Sequence, residues 1–216
     1  NLIRLHGKLF TKTLCLVGEI DCHGDGYQLY GPGNSASTVP RRQTLQQFTV
    51  RNTLSNYIHE MFNYQVDGSF YCLFDAYQAR ENQWEFNGKG DYLLNDALTL
   101  KAFTDLYLSK HSDATVAYRK LWRFEPMLCL LFNSFDVQGG VNLVYQDDVS
   151  YVSNALNVYP VLEVKYALRK WFRPYVGIGG DIQRNSLQSF LQENPLLAPQ
   201  VTLRHTNQRF VFYGGA

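Results

Sequence analysis

At 216 residues the chain is long enough to bury a full core, and an all-β barrel of this size is commonly one domain, so residues 1–216 are read as a single unit. Aromatics reach 15%, with 15 Tyr and 14 Phe, whereas charged residues make up 18%, below the roughly 25% of an ordinary soluble domain. The net charge of +1 comes without a polybasic stripe, which argues against a nucleic-acid partner, and the most uniformly apolar stretch, Met127 to Phe132, is far short of the roughly 20 residues a membrane-spanning helix needs.

Along the chain one signal recurs, a period-two alternation that sends successive side chains to opposite faces of a strand. Leu2 to Phe10 is a first, weaker candidate. Leu14, Leu16, Gly18, Ile20 and Cys22 then alternate with Cys15, Val17, Glu19, Asp21 and His23, giving one apolar and one mostly polar face. Gly26 to Gly31 is weaker and runs into Gly31-Pro32-Gly33-Asn34-Ser35, whose composition predicts a loop. After a weaker stretch at Gln43 to Leu54, Tyr64, Val66, Gly68, Phe70, Cys72 and Phe74 stand against Gln65, Asp67, Ser69, Tyr71, Leu73 and Asp75. Asn82 to Leu94 is a further weak candidate.

From Leu98, the set Leu98, Leu100, Ala102, Thr104, Leu106 and Leu108 faces away from Thr99, Lys101, Phe103, Asp105, Tyr107 and Ser109, with a hairpin end predicted at Lys110 to Asp113. Phe124 to Asn133 is weaker. Phe135, Val137, Gly139, Val141, Leu143 and Tyr145 oppose Asp136, Gln138, Gly140, Asn142, Val144 and Gln146, before a turn at Asp147-Asp148. Pro160, Leu162, Val164, Tyr166 and Leu168 oppose Val161, Glu163, Lys165 and Ala167. Pro174, Val176, Ile178, Gly180 and Ile182 oppose Arg173, Tyr175, Gly177, Gly179, Asp181 and Gln183. In Ser186 to Pro199, Leu187, Phe190 and Leu191 at helical spacing before Asn194-Pro195 predict a short helix on a loop, and Arg209 to Gly215 is a last weak strand.

These runs reach about ten residues, where soluble strands peak at roughly 5 to 6 and membrane barrel strands need about 9 to 11. The expected fold class is therefore all-β, an antiparallel up-and-down transmembrane β-barrel of about 10–14 strands. The sequence opens at Asn1 without a basic leader and closes on Phe212-Tyr213-Gly214-Gly215-Ala216 within a strand, so a fragment of a longer chain is expected. On this reading Glu19, Asp21, His23, Lys101, Asp105, Asn142, Glu163, Lys165, Arg173 and Asp181 line a lumen, while Trp84, Tyr92, Tyr145, Tyr159, Trp171 and Phe172 sit at the two membrane interfaces.

Chemistry beyond a wall is not signalled. Glu19, Asp21, His23 and Asp25 share a face but are spaced by roughly 6.6 Å per pair of residues, too far to converge on one metal ion. No nucleophile elbow, HExxH pair, P-loop or dinucleotide fingerprint occurs, and Cys15, Cys22, Cys72 and Cys129 lack metal-site spacing. No cofactor, metal or catalytic residue is expected.

Tyr159-Pro160-Val161-Leu162-Glu163-Val164, then Tyr175-Val176-Gly177-Ile178-Gly179-Gly180 and Gln192-Glu193-Asn194-Pro195, are similar to the C-terminal strands of outer-membrane barrels of the TonB-dependent-receptor-like type, over about Phe135 to Ala216. The resemblance implies the outer membrane of a two-membrane bacterium and a role in uptake or in an envelope assembly. Neither the plug nor the energy-coupling box of a full receptor is visible in these residues, and no ligand residue carries over. The leading expectation is a passive pore or a structural barrel subunit, not an enzyme, with outer-membrane lipid and other envelope proteins or lipoproteins as partners. The alternatives are an outer-membrane lipase- or protease-like barrel and a soluble carbohydrate-binding β-sandwich.

Overall fold

The computed structural model describes residues 2–28, 42–56, 61–76, 79–113, 116–147, 155–193 and 204–216. The Gly31-Pro32-Gly33-Asn34-Ser35 loop, Asp148 and Asn194-Pro195 lie outside the described residues.

Among the described residues the alternating sequence forms β1 (Leu2–Phe10), β2 (Leu14–Gln28), β3 (Arg42–Asn56), β4 (Phe62–Asp75), β5 (Arg80–Asn95), β6 (Leu98–Ser112), β7 (Val116–Phe132), β8 (Phe135–Asp147), β9 (Leu156–Tyr166), β10 (Tyr175–Gln183) and β11 (Thr206–Gly215). A short helix, α1 (Leu187–Glu193), stands between the last two. The strands make one 11-stranded sheet in simple sequence order, each antiparallel to the next. This is the up-and-down all-β architecture that the alternation predicts.

Turn chemistry fixes the tight hairpins. Between β5 and β6 the Ala97 N–H donates to Asn95 Oδ1 at 2.9 Å, an Asx turn, and between β7 and β8 Asn133 takes a φ of 53°, which asparagine tolerates better than most residues. Both tight turns lie at one end of the sheet, and the two longest connections, 29–41 and 184–205, lie at the other. That asymmetry is characteristic of outer-membrane barrels, with short turns inside and longer loops outside.

Register separates the two faces. Ile20, Val50, Phe70, Trp84 and Leu108 stand in one line across β2 to β6. One residue along, Asp21, Thr49, Tyr71, Gln83, Ser109 and Arg119 stand in a parallel line from β2 to β7. The polar line is the buried one, every member at 7% exposure or less, while Ile20 and Trp84 of the apolar line are 40% and 49% exposed. The concave face is thus polar and enclosed, and the convex face is apolar and open. Two clusters fill parts of the concave side: Leu45, Tyr71, Leu73, Ala79 and Leu187 under α1, and Tyr107, Leu121, Val144, Tyr159 and Ile182 across β6 to β10.

Three sequence expectations need correction. The weak Phe124–Asn133 candidate is the second half of β7, whose first half escaped because Lys120 on the convex face and Leu121 on the concave face break the pattern. The run expected over Pro160–Leu168 is β9 at Leu156–Tyr166, and Leu168 lies in the following connection. Ile182, expected on the apolar face with Val176 and Ile178, is fully buried on the concave side; the β10–β11 ladder is irregular just before it, with Arg209 and Phe210 both standing against Gly180, whose own Cβ would meet the inward Tyr159 ring.

One glycine answers to a close approach. The β7–β8 pairing skips Glu125 and Pro126, since proline has no N–H to give, and a Cβ on Gly140 would lie 2.2 Å from the Pro126 carbonyl oxygen. Gly140→Ala is expected to destabilise the refolded protein by ~1–3 kcal/mol. Gly139→Ala, whose Cβ would meet nothing nearer than Leu162 Cδ1 at 3.8 Å, should stay within ~0.5 kcal/mol. Urea midpoints in detergent check this, and equal midpoints for the two variants refute it.

Candidate functional site

The concave face is built from the inward positions of the strands, and its charges are arranged in ladders. On β1 to β3, Arg4 Nε lies 2.7 Å from Asp21 Oδ1 and 3.1 Å from Glu19 Oε1, and Arg51 Nη1 lies 3.3 Å and 3.4 Å from the same two carboxylates. Glu19 and Asp21 are therefore engaged by arginines, while His23 pairs with Asp25 at 3.1 Å. Among the described residues no group of His, Cys, Asp and Glu side chains is placed to hold a metal ion.

Across β6 to β10 the ladder is deeper. Arg123 grips Asp181 with Nε and Nη2, both at 2.9 Å, and gives Nη1 to Asp105 Oδ2 at 2.7 Å. The two-pronged contact matches the fixed fork of a guanidinium to a carboxylate. Asn142 donates to the Gly180 carbonyl at 3.0 Å. Arg123 on β7 reaches Asp181 on β10 although β8 and β9 lie between them in the sheet, so the wall curves tightly enough for distant strands to touch.

Toward the long-connection end, Glu81 on β5 pairs with Arg119 on β7 at 3.0 Å, the Arg side chain 2% exposed and the Glu 0%. Glu81 also accepts from the Leu187 N–H at 3.0 Å, and Arg119 donates to the Asn185 carbonyl at 2.7 Å. Arg184 reaches Glu85 and lies over the Tyr107 ring at 4.7 Å.

The remaining lumen candidates have different surroundings. Glu163 and Lys165 pair with each other at 2.7 Å on β9, and Lys101 stands opposite Asp91 across β5 and β6. Arg173 is exposed in the connection between β9 and β10 and belongs to no strand, a correction that follows from β10 starting at Tyr175.

On the convex face, Trp84 and Tyr92 are exposed on β5, eight residues apart. At about 3.3 Å per residue that separation is roughly 26 Å along the strand, and with the tilt of about 35–45° usual for barrel strands it projects to roughly 20 Å, within the roughly 25 Å apolar band of an outer-membrane barrel. Tyr145 is exposed beside Trp122, whose indole N–H is given to Thr104 Oγ1 at 3.1 Å. Trp171, 77% exposed, and the half-buried Phe172 pack with their rings tilted at 51° and centroids 5.8 Å apart, in the connection at the same end of the sheet as Tyr92. Tyr159 is the exception. It points inward, 4% exposed, with its hydroxyl donating to Asn207 Oδ1 at 2.8 Å, because it has the parity of Glu163 and not of Leu162.

Glu81, Arg119 and Arg123 were not singled out by sequence reasoning. The signal for Glu81 was present: Glu81, Gln83, Glu85, Asn87, Lys89 and Asp91 alternate with Trp84, Phe86 and Tyr92 along one strand. Nothing local indicates that Arg119 meets Glu81, since β6 lies between them and the partners are 38 residues apart.

No family model and no curated protein sequence matches the chain. Solved structures do match its fold. The siderophore receptor PirA from Pseudomonas aeruginosa superposes with a TM-score of 0.58 at 11% identity, over 86% of this chain and 42% of that one. A variant of the ferric enterobactin receptor PfeA from the same organism gives 0.43 at 12% identity, over 86% and 41%. The KdgM porin, in complex with disordered oligogalacturonate, gives 0.33 at 15%, over 82% and 80%. The PirA superposition carries the likeness: the chain has the fold of an outer-membrane β-barrel wall. It spans about two fifths of that receptor's length.

Removing one member of the central ladder tests its energetics. Arg123→Met leaves Asp105, 5% exposed, without its cation, and losing one partner of a buried pair costs about 3–5 kcal/mol. Because the Asp181 side chain is 43% exposed and keeps water, a loss of ~1–3 kcal/mol is expected. Arg51→Met, on the half-exposed ladder, should cost less than ~1 kcal/mol. Urea midpoints of the two variants check the order, and a reversed order refutes it.

Proposed function

We propose that this chain forms the wall of a β-barrel in the outer membrane of a two-membrane bacterium and serves the passage of solutes across that membrane. One observation carries the reading, the inversion of the two faces. Phe86, Leu100, Leu128, Val158, Leu162 and Phe212 stand exposed on the convex side, while Asp21, Glu81, Asp105 and Arg119 are buried on the concave side. A soluble sandwich would bury the first set and expose the second. In hydrocarbon the same arrangement costs nothing on the convex side, and the concave charges pair with one another or meet water.

A conduit is favoured over an enzyme by what the concave groups do: the arginines and carboxylates of the ladders are committed to one another, which shapes a polar path and leaves none of them poised on a nucleophile. Transport also accords with the fold likeness to a siderophore receptor. A structural-subunit reading has one observation in its favour, the packed cluster of Tyr107, Leu121, Val144, Tyr159 and Ile182, which fills the concave face over β6 to β10. On either reading the convex face meets outer-membrane lipid, and other envelope proteins or lipoproteins are the natural partners.

Phe86→Arg separates lipid from water outside the wall. Phe86 lies two residues inside the Trp84 level and is 46% exposed, so in a soluble protein the change would be near neutral, whereas facing the apolar band near its edge it should cost ~1–2 kcal/mol and depress folding into vesicles. Unchanged folding yield together with solubility in plain buffer would falsify the membrane reading. Conductance steps in a planar bilayer are expected for a conduit, and a silent, inserted protein would favour the structural subunit.

A further inference from the structure

Residues 184–193, the described first part of the connection after β10, pack back over the concave face. We propose that residues 184–190 form a strap that narrows the conduit at its long-connection end, and that Glu81 is the latch that holds it. The proposal rests on the outer-membrane-barrel reading above.

The contacts are spread over strands far from the strap's own. Glu81 Oε1 accepts from Arg119 Nη2 at 3.0 Å, and Oε2 accepts from the Leu187 and Gln188 N–H groups at 3.0 Å and 3.4 Å. Arg119 Nη1 in turn donates to the Asn185 carbonyl at 2.7 Å. Both members of one buried ion pair thus divide their hydrogen bonds between the wall and the strap. Leu187 inserts beside Leu45, Tyr71, Leu73 and Ala79 of the β3–β5 region, with Phe190 packed on the same cluster. Ser186 and Ser189 close the first turn of α1 on each other, Ser186 N–H donating to Ser189 Oγ at 3.0 Å and Ser189 N–H to Ser186 Oγ at 3.1 Å.

The choice of a charged latch has a physical consequence. A buried ion pair is no better for stability than apolar side chains of the same volume. It differs in what happens on release. When the strap lifts, water hydrates both Glu81 and Arg119, which offsets the lost contacts, so the open state stays accessible; an all-apolar latch would expose grease instead. Leu187 is the strap's buried apolar side chain at the contact, 5% exposed, with Phe190 only partly buried beside it.

The test uses the full chain refolded into phospholipid vesicles, with amide hydrogen exchange over 184–190 and efflux of an entrapped disaccharide as paired readouts. Exchanging the pair, Glu81→Arg with Arg119→Glu, keeps an ion pair in the wall but puts a cation against the Leu187 and Gln188 amides. Exchange at those amides should rise by roughly tenfold or more, the effect of losing a charge-assisted hydrogen bond, and disaccharide efflux should quicken with it. Leu187→Asp, which leaves the pair in place and removes the buried apolar side chain, should do the same and serves if the exchanged variant fails to fold. Inserted variants with exchange or efflux at wild-type rates overturn the strap while leaving the barrel reading intact. Failure of the wild-type chain itself to insert overturns the barrel reading, and the strap with it.

Discussion

Pairing register sets Ile20, Val50, Phe70, Trp84 and Leu108 in one line and Asp21, Thr49, Tyr71, Gln83, Ser109 and Arg119 in the next. A slip of one residue in any strand would exchange the two, placing a carboxylate or guanidinium on the convex side and an aromatic ring in the concave ladder. Such a slip would break the ion pairs of the enclosed line and leave its apolar replacements without matching neighbours, and for a charge placed mid-band against lipid it would be prohibitive. The short turns at Asn95–Ala97 and Asn133–Ser134 then need only close hairpins whose alignment is already decided.

The backbone imposes the matching condition. Within hydrocarbon every N–H and C=O must find a partner in protein, and β2 to β10 each have a paired strand on both sides, over most of their length except where β9 and β10 pair over only Tyr175–Ile178. Among the described residues β1 and β11 each have one neighbouring strand. Ten antiparallel steps separate them, so they run in the same direction, and a seam made directly between them would be parallel, whereas an antiparallel closure passes through an odd number of further strands. The curvature seen where Arg123 meets Asp181 across two intervening strands shows that the wall already bends toward closure.

How far the sequence announced this depends on whether a residue's role is set by its own strand or by a distant one. Strand existence was legible wherever polar and apolar residues alternate cleanly, as in β2, β4, β6 and β8, and so was the helix, from Leu187 and Phe190 at helical spacing. It faded where the concave side is itself packed with apolar groups. Leu121 in β7 and Ile182 in β10 are inward residues of the second cluster, and both misled the pattern for that reason. The inward orientation of Glu19, Asp21, Lys101, Asp105, Asn142, Glu163 and Lys165 followed from parity alone. Their partners did not, because Arg123–Asp181 and Arg119–Glu81 join strands that only the curvature of the sheet brings together. Tyr159 shows the same limit from the other side: its composition suits an interface, and its parity puts it in the interior.

The two halves of the concave face differ in packing and exposure. Over β6 to β10 the fully enclosed Tyr107, Leu121, Val144 and Ile182 leave no room beside the wall. Over β1 to β3 the ladder is wet, with the Arg4 and Arg51 side chains 57% and 49% exposed above carboxylates that are mostly covered. The concave face is thus open on the β1–β3 side, where arginine head groups are exposed, and residues 184–190, held to β5 and β7, lie between that ladder and the packed cluster. Glu81 sits at their border, fully buried and bonded at once to Arg119 of the wall and to the Leu187 N–H.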